Sequence, residues 1–124
     1  MTRKLFCADI ESDGLLGDIT KLWCASANQF NNRMEETSVQ TFTDMPDIDE
    51  LFTNPDNILV MHNGLAFDGP AMTKVRGIEV RAEIVDTLFL SWHMYPNMLK
   101  HGLKAWGEEL GITKPTVDDW TTQP

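Results

Sequence analysis

Positive charge is what this chain has least of. Its 124 residues carry 10 Lys and Arg against 19 Asp and Glu, a formal net charge of −9. Bulk electrostatics therefore cannot hold it to nucleic acid or to an anionic membrane, because phosphate contacts need Lys and Arg. Long apolar runs are also missing, and none approaches the ~20 residues of a membrane span. The N-terminus lacks the basic-then-apolar pattern of a secretion signal, so a cytoplasmic chain is expected. Cysteine is scarce. Cys7 and Cys24 lie inside apolar strand-like runs, which reads as two buried free thiols rather than a disulfide. Tyrosine occurs once, at Tyr95. Repeats and low-complexity stretches are absent. What remains is an ordinary globular mixture, 42% hydrophobic, long enough for one core.

The most informative stretch is Phe6-Cys7-Ala8-Asp9-Ile10-Glu11-Ser12-Asp13-Gly14-Leu15. Leu5 to Ile10 is mostly apolar and reads as a strand buried on both faces. Asp9 and Glu11 are two residues apart, so on a strand both point to one face. Two carboxylates at the end of a buried strand repel each other and stay ionised only beside a cation. A bound divalent metal would supply it. If the strand ends by Ile10, both acids are merely solvated. The pair alone leaves both readings open.

After a turn at Gly14 and Gly17, strands are expected at Ile19 to Phe30 and Thr37 to Phe42, which makes an antiparallel meander. The pattern then alternates: a short helix over Asp47 to Phe52, a buried strand over Ile58 to Met61, and a helix over Ala66 to Arg76 that tolerates Pro70 in its first turn. A strand over Glu83 to Val85 leads into a helix running to about Met94, and a last helix spans His101 to Leu110. That order predicts an α/β domain, a mixed sheet of about five strands flanked by helices, over residues 1–112, with a polar tail over 113–124. Leu103, Trp106 and Leu110 recur at helical spacing as the packed face of the last helix. The tryptophans and most methionines read as core.

A second cluster, His62-Asn63-Gly64-Leu65-Ala66-Phe67-Asp68, follows the Ile58 to Met61 strand. Ligands in open α/β sheets collect beyond the carboxyl ends of strands. If this strand lies parallel to the first, Asp68 arrives beside Asp9 and Glu11. Singly, Asn63 and Gly64 are turn residues and Asp68 a helix-start acid; together with the first pair they suggest a site. Asp86, in Ile84-Val85-Asp86-Thr87-Leu88, is an N-cap by position, with substrate contact as the other role open to it.

These segments resemble the first and second motifs of the DEDD (DnaQ-like) 3′–5′ exonucleases, and the segment that follows them, in order and ~50 residues apart. The closest flavour is the proofreading domain of phage polymerases of the polymerase I type. The resemblance implies an RNase H-like fold and metal-dependent hydrolysis from a DNA or RNA 3′ end. It makes Asp9, Glu11 and Asp68 the ligands of two Mg²⁺ or Mn²⁺ ions. It further implies that Ser12, Gly14 and Leu15 approach the terminal nucleotide, and that Asn63 and Phe67 line the cleft.

The family's third motif, a Tyr or His followed by a fourth acid on a late helix, has no counterpart. Tyr95 precedes Pro96 with no acid suitably placed after it; His93 and His101 read as packing or surface, and Asp118 and Asp119 as solvated loop acids. The expectation is therefore a C-terminally truncated exonuclease domain. The alternative is a catalytically inactive module that binds a polymerase, a partner chain or single-stranded DNA.

Overall fold

A computed structural model describes residues 3–112. Five strands form one sheet of order β3-β2-β1-β4-β5, with β1 at Lys4–Ser12, β2 at Leu22–Phe30, β3 at Glu36–Phe42, β4 at Asn57–Met61 and β5 at Glu83–Asp86. β1, β2 and β3 pair antiparallel as the meander requires, whereas β4 lies parallel to β1 and β5 parallel to β4. The expected mixed sheet is present, and β1 runs through Glu11 to Ser12, so the acids are not loop residues.

Helix α1 (Met45–Thr53) follows β3, and α2 (Gly69–Arg76) follows β4. α1 buries Ile48, Leu51 and Phe52, and α2 buries Ala71 and Met72, against Phe6, Ala8, Ile10, Ala25, Ala27, Leu59 and Met61 of the sheet. Apolar burial on one sheet face is the main stabilising term. α2 differs from its expected form at the start. Gly64–Asp68 is a wide π turn that passes directly into α2, with Pro70 in the first α turn and Gly77 as a left-handed stop.

The opposite sheet face departs most from expectation. β1 alternates strictly: Phe6, Ala8 and Ile10 are buried while Cys7, Asp9 and Glu11 are exposed. A strand covered on one face only explains this; the apolar run at its start concealed it. The two cysteines are consequently not core residues: Cys7 is exposed and Cys24 half-buried. Both thiols are nonetheless pushed up in pKa, by burial first and then by Asp9 (for Cys24, by Glu11 and Asp9), which keeps them protonated.

Helices α3 (Thr87–Met94) and α4 (Leu103–Leu110) cover part of this second face. α4 fully buries no residue; Leu103 is 61% and Leu110 66% exposed, so among the described residues only Trp106 of the stripe read as a packed face is partly covered. Trp23 and Trp92 are likewise exposed rather than core, and Trp106 is half-buried. Trp23 carries Lys21 over its ring at 4.2 Å. Trp120, Asp118 and Asp119, with the tail over 113–124, lie outside the described residues. No described helix is long and apolar enough to cross a membrane.

Candidate active site

The parallel pairing of β1 with β4 brings the two clusters to one edge of the sheet. Asp9 sits opposite Ser26 of β2, and Glu11 opposite Cys24, so both acids share the half-covered face. The chain leaves β4 through His62 and reverses at Asn63, whose φ of 69° is left-handed and suits asparagine. Gly64 follows because nothing larger fits: a Cβ there would lie 2.7 Å from Met61 Cβ and 3.0 Å from Ile84 Cγ2. Gly64→Ala should therefore lower stability by about 1–3 kcal/mol, read as a fall in the urea midpoint at unchanged slope.

The π turn then carries Asp68 under the edge of β1. Its carboxylate is buried (3% exposed) and accepts the Ile10 backbone N–H at 3.3 Å. Burial, then the charge of Asp9, pushes the Asp68 pKa up to about 7, against the opposing pull of that hydrogen bond. Asp68 and Asp9 therefore feel each other. Among the described residues, no three His, Cys, Asp or Glu side chains converge closely enough to form a ready-made metal cluster. The donor set nevertheless fits a hard divalent ion: carboxylate oxygens from adjacent chain segments, under mutual repulsion that a cation would relieve.

Two further clamps fix the frame. Asp86, the N-cap of α3, accepts from Leu88 N at 2.9 Å and Phe89 N at 3.4 Å. The same carboxylate accepts from Asn63 N and Leu65 N, both at 2.9 Å. A buried group that accepts from four backbone donors, three of them on Oδ1, anchors the β4 turn to α3 in the N-cap role its position suggested. Asp13 does similar work in the loop after β1. It accepts from the Thr20 hydroxyl, from Thr20 N at 2.9 Å and from Lys21 N at 3.1 Å, which lowers its pKa to about 2. Lys74 of α2 donates to the carbonyls of Leu16 and Gly17, at 2.7 and 3.1 Å. The loop is thus fixed at both ends, with Ser12 Oγ donating to the Gly14 carbonyl and Leu15 projecting, 77% exposed.

Phe67 lies half-buried against the core. His62 was not singled out by sequence. A carbonyl can only accept, so His62 Nε2 carries the proton it donates to the His101 carbonyl at 2.8 Å, while Nδ1 meets the Thr87 hydroxyl at 2.9 Å. Trp106 Nε1 donates to Ser91 Oγ at 2.7 Å, and that hydroxyl meets His101 Nδ1 at 2.6 Å. His101 is accordingly a packing residue, as its position suggested. Between α3, α4 and the sheet runs an apolar groove of about 540 Å³, lined by Cys7, Asn28, Val60, Leu90, Met94 and Trp106 and reaching Asp9.

No family model matches the chain. It is 27% identical to the DNA-directed DNA polymerase of Escherichia phage T7 and 26% identical to that of Enterobacteria phage T3, each match taking in 93% of this chain. The chain spans about a fifth of the length of either polymerase (20%). Among solved structures it matches Brucella melitensis NrnC bound to pGG (TM-score 0.72, 17% identity, 97% of this chain and 59% of that one). It also matches E. coli Exonuclease I in complex with an oligonucleotide (TM-score 0.69, 12% identity, 91% of this chain and 37% of that one). The fold is RNase H-like, and the chain resembles a DnaQ-like 3′–5′ exonuclease domain. Within that fold, Asp9 and Glu11 lie on β1 and Asp68 lies at the end of the π turn that follows β4. Tyr95 is edge-packed on Trp106, 5.3 Å between ring centres.

Proposed function

We propose that this chain is a metal-dependent 3′–5′ exonuclease domain of the proofreading type. It would hydrolyse phosphodiester bonds at a single-stranded DNA 3′ end and release nucleoside 5′-monophosphates. One observation carries the proposal: Asp9 and Glu11 share one face of β1, and Asp68, from the segment after its parallel neighbour, is buried beside that strand with its pKa raised by burial and then by Asp9. Asp9, Glu11 and Asp68 would hold Mg²⁺ or Mn²⁺, which supplies Lewis acidity to the scissile phosphate when bound. The chain's own residues position the strand. The fixed loop presents Leu15 and the backbone of Ser12 to Gly14 to the terminal nucleotide, and the Asp86 clamp sets Asn63 at the cleft. Among the described residues no Tyr or His followed by a fourth acid stands beside the three acids.

Purified chain with Mn²⁺ should shorten a 3′-labelled single strand, and Glu11→Ala should abolish this. Mg²⁺ or Mn²⁺ should raise the melting temperature of wild type and leave Asp9→Ala unmoved. Equal shifts in both proteins would remove the metal site, and no turnover at high enzyme and Mn²⁺ would remove the enzymatic reading. The second reading, a module that binds a partner chain, draws on the open groove beside Asp9 and the unpacked stripe of α4.

A further inference from the structure

The two edges of the sheet are built differently. β5, at one end, has only four residues, and its Glu83 pairs with Arg3 at 2.7 Å, so that edge is short and charged. β3, at the other end, runs for seven residues, Glu36-Thr37-Ser38-Val39-Gln40-Thr41-Phe42, and pairs only with β2. Its outward row of backbone N–H and C=O groups meets no backbone partner among the described residues. Soluble proteins blunt such an edge with lysine, proline, an inward-pointing charge or a bulge. β3 has neither lysine nor proline, and its single charge, Glu36, stands at the end where the register shift against β2 also falls. Val39, at the centre, is 67% exposed, and Thr37, Gln40 and Thr41 are exposed around it.

The strand's own sequence selects the partner. Thr37-Ser38-Val39-Gln40-Thr41 reads nearly the same in both directions. A second copy laid antiparallel and centred on Val39 therefore sets valine opposite valine, Thr37 opposite Thr41, and Ser38 opposite Gln40. Glu36 then faces Phe42 rather than the other Glu36, so no like charges meet, which matters in a chain of net charge −9. β-branched residues directly opposite each other are favourable cross-strand pairs. A foreign strand would find the same backbone groups without this match. The twofold axis of such a pair is perpendicular to the sheet, so like faces stay on one side. Asp9 lies across from Ser26, and Ser26 from Thr41, so Thr41 and Val39 stand on the face that carries Asp9 and Glu11. The two candidate sites would open on the same side, five strand spacings apart, with about 24 Å between the β1 strands.

We propose that β3 is a homodimerisation edge, through which two copies of this chain join into one ten-stranded sheet by antiparallel pairing about Val39. The contact is narrow, two seven-residue strands, so association in the micromolar range is expected. Sedimentation equilibrium of the full chain from about 1 μM to about 500 μM should show a monomer–dimer equilibrium. Val39→Lys sets two ammonium groups opposite each other at an exposed position. It should weaken dimerisation about tenfold or more, with far-UV circular dichroism unchanged. Disulfide cross-linking reads the register. In a Cys7→Ser/Cys24→Ser background, Val39→Cys should cross-link under mild oxidation, because opposite Cα atoms in such a pair stand ~4.5–5.5 Å apart. Thr37→Cys, which faces Thr41, should cross-link far more slowly. A wild type that stays monomeric at about 500 μM would overturn the proposal, as would a dimer that Val39→Lys leaves intact. Equal cross-linking at 37 and 39 would overturn pairing about Val39, and a monomeric wild type that captures an unrelated extended peptide would overturn the choice of a second copy. None of these readouts uses metal or nucleic acid, so their outcome is independent of the exonuclease reading.

Discussion

Asp86→Ala should be the most damaging single substitution in the chain, costing about 3–5 kcal/mol. Four backbone N–H groups lose their acceptor at once, those of Asn63, Leu65, Leu88 and Phe89. Each buried donor left unpaired costs ~1–3 kcal/mol, and the sum falls short of additivity because the turn can relax toward water. Loss of the N-cap of α3 is included in that total. Small domains have only ~5–15 kcal/mol in hand, so the variant should unfold at a far lower urea concentration. Asp86→Asn is the informative companion. Its Oδ1 can keep the bonds to Asn63, Leu88 and Phe89, and only the Leu65 N–H faces the new amide. A cost near that of the alanine variant would show that the charge, not the acceptor geometry, holds the clamp. Amide exchange should report the loss first at Asn63 and Leu65, since these join two otherwise separate segments.

The chain order of strands and helices was legible because its signals are local. The Gly14 and Gly17 turn, the β4 apolar run and the Gly77 and Gly111 stops all act within a few residues. The site was legible for a related reason. Spacing of two on a strand fixes the shared face of Asp9 and Glu11, and a parallel neighbour needs no further information to deliver Asp68. What sequence could not show is which faces remain uncovered. Leu5 to Ile10 is as apolar as a strand buried on both sides, yet Cys7 is exposed because, among the described residues, its face is only partly covered and borders an open groove. The α4 stripe of Leu103, Trp106 and Leu110 has the pattern of a packed helix, yet among the described residues only Trp106 finds a partner. Periodicity states what a surface could bury, and only the fold states whether something arrives to bury it. The bonding of His62 was not legible for another reason: its partners, Thr87 and the His101 carbonyl, are distant from it in sequence.

Asp68→Asn should stabilise the metal-free protein at alkaline pH while destroying its response to metal. The folded pKa of Asp68 is raised to about 7 from an ordinary 3.8, so the folded state binds this proton more tightly than the unfolded chain does. Its stabilising contribution is complete below about pH 4 and is lost as pH rises through about 7. A shift of that size corresponds to no more than about 4 kcal/mol. Asparagine keeps an acceptor for the Ile10 N–H and carries no charge to bury, so the variant should exceed wild type in stability at about pH 8 and match it near pH 4. Asp9→Asn should produce part of the same effect by removing the second cause of the shift, and should lower the Asp68 pKa when it is followed by carboxyl NMR. Mg²⁺ performs this neutralisation in the proposed enzyme, so it should raise the wild-type melting temperature most at high pH and barely at pH values where Asp68 is protonated. The inverse pattern, with Asp68→Asn less stable than wild type at about pH 8, would mean that the buried carboxylate is already compensated without metal. The electrostatic case for a cation at Asp9, Glu11 and Asp68 would then be lost.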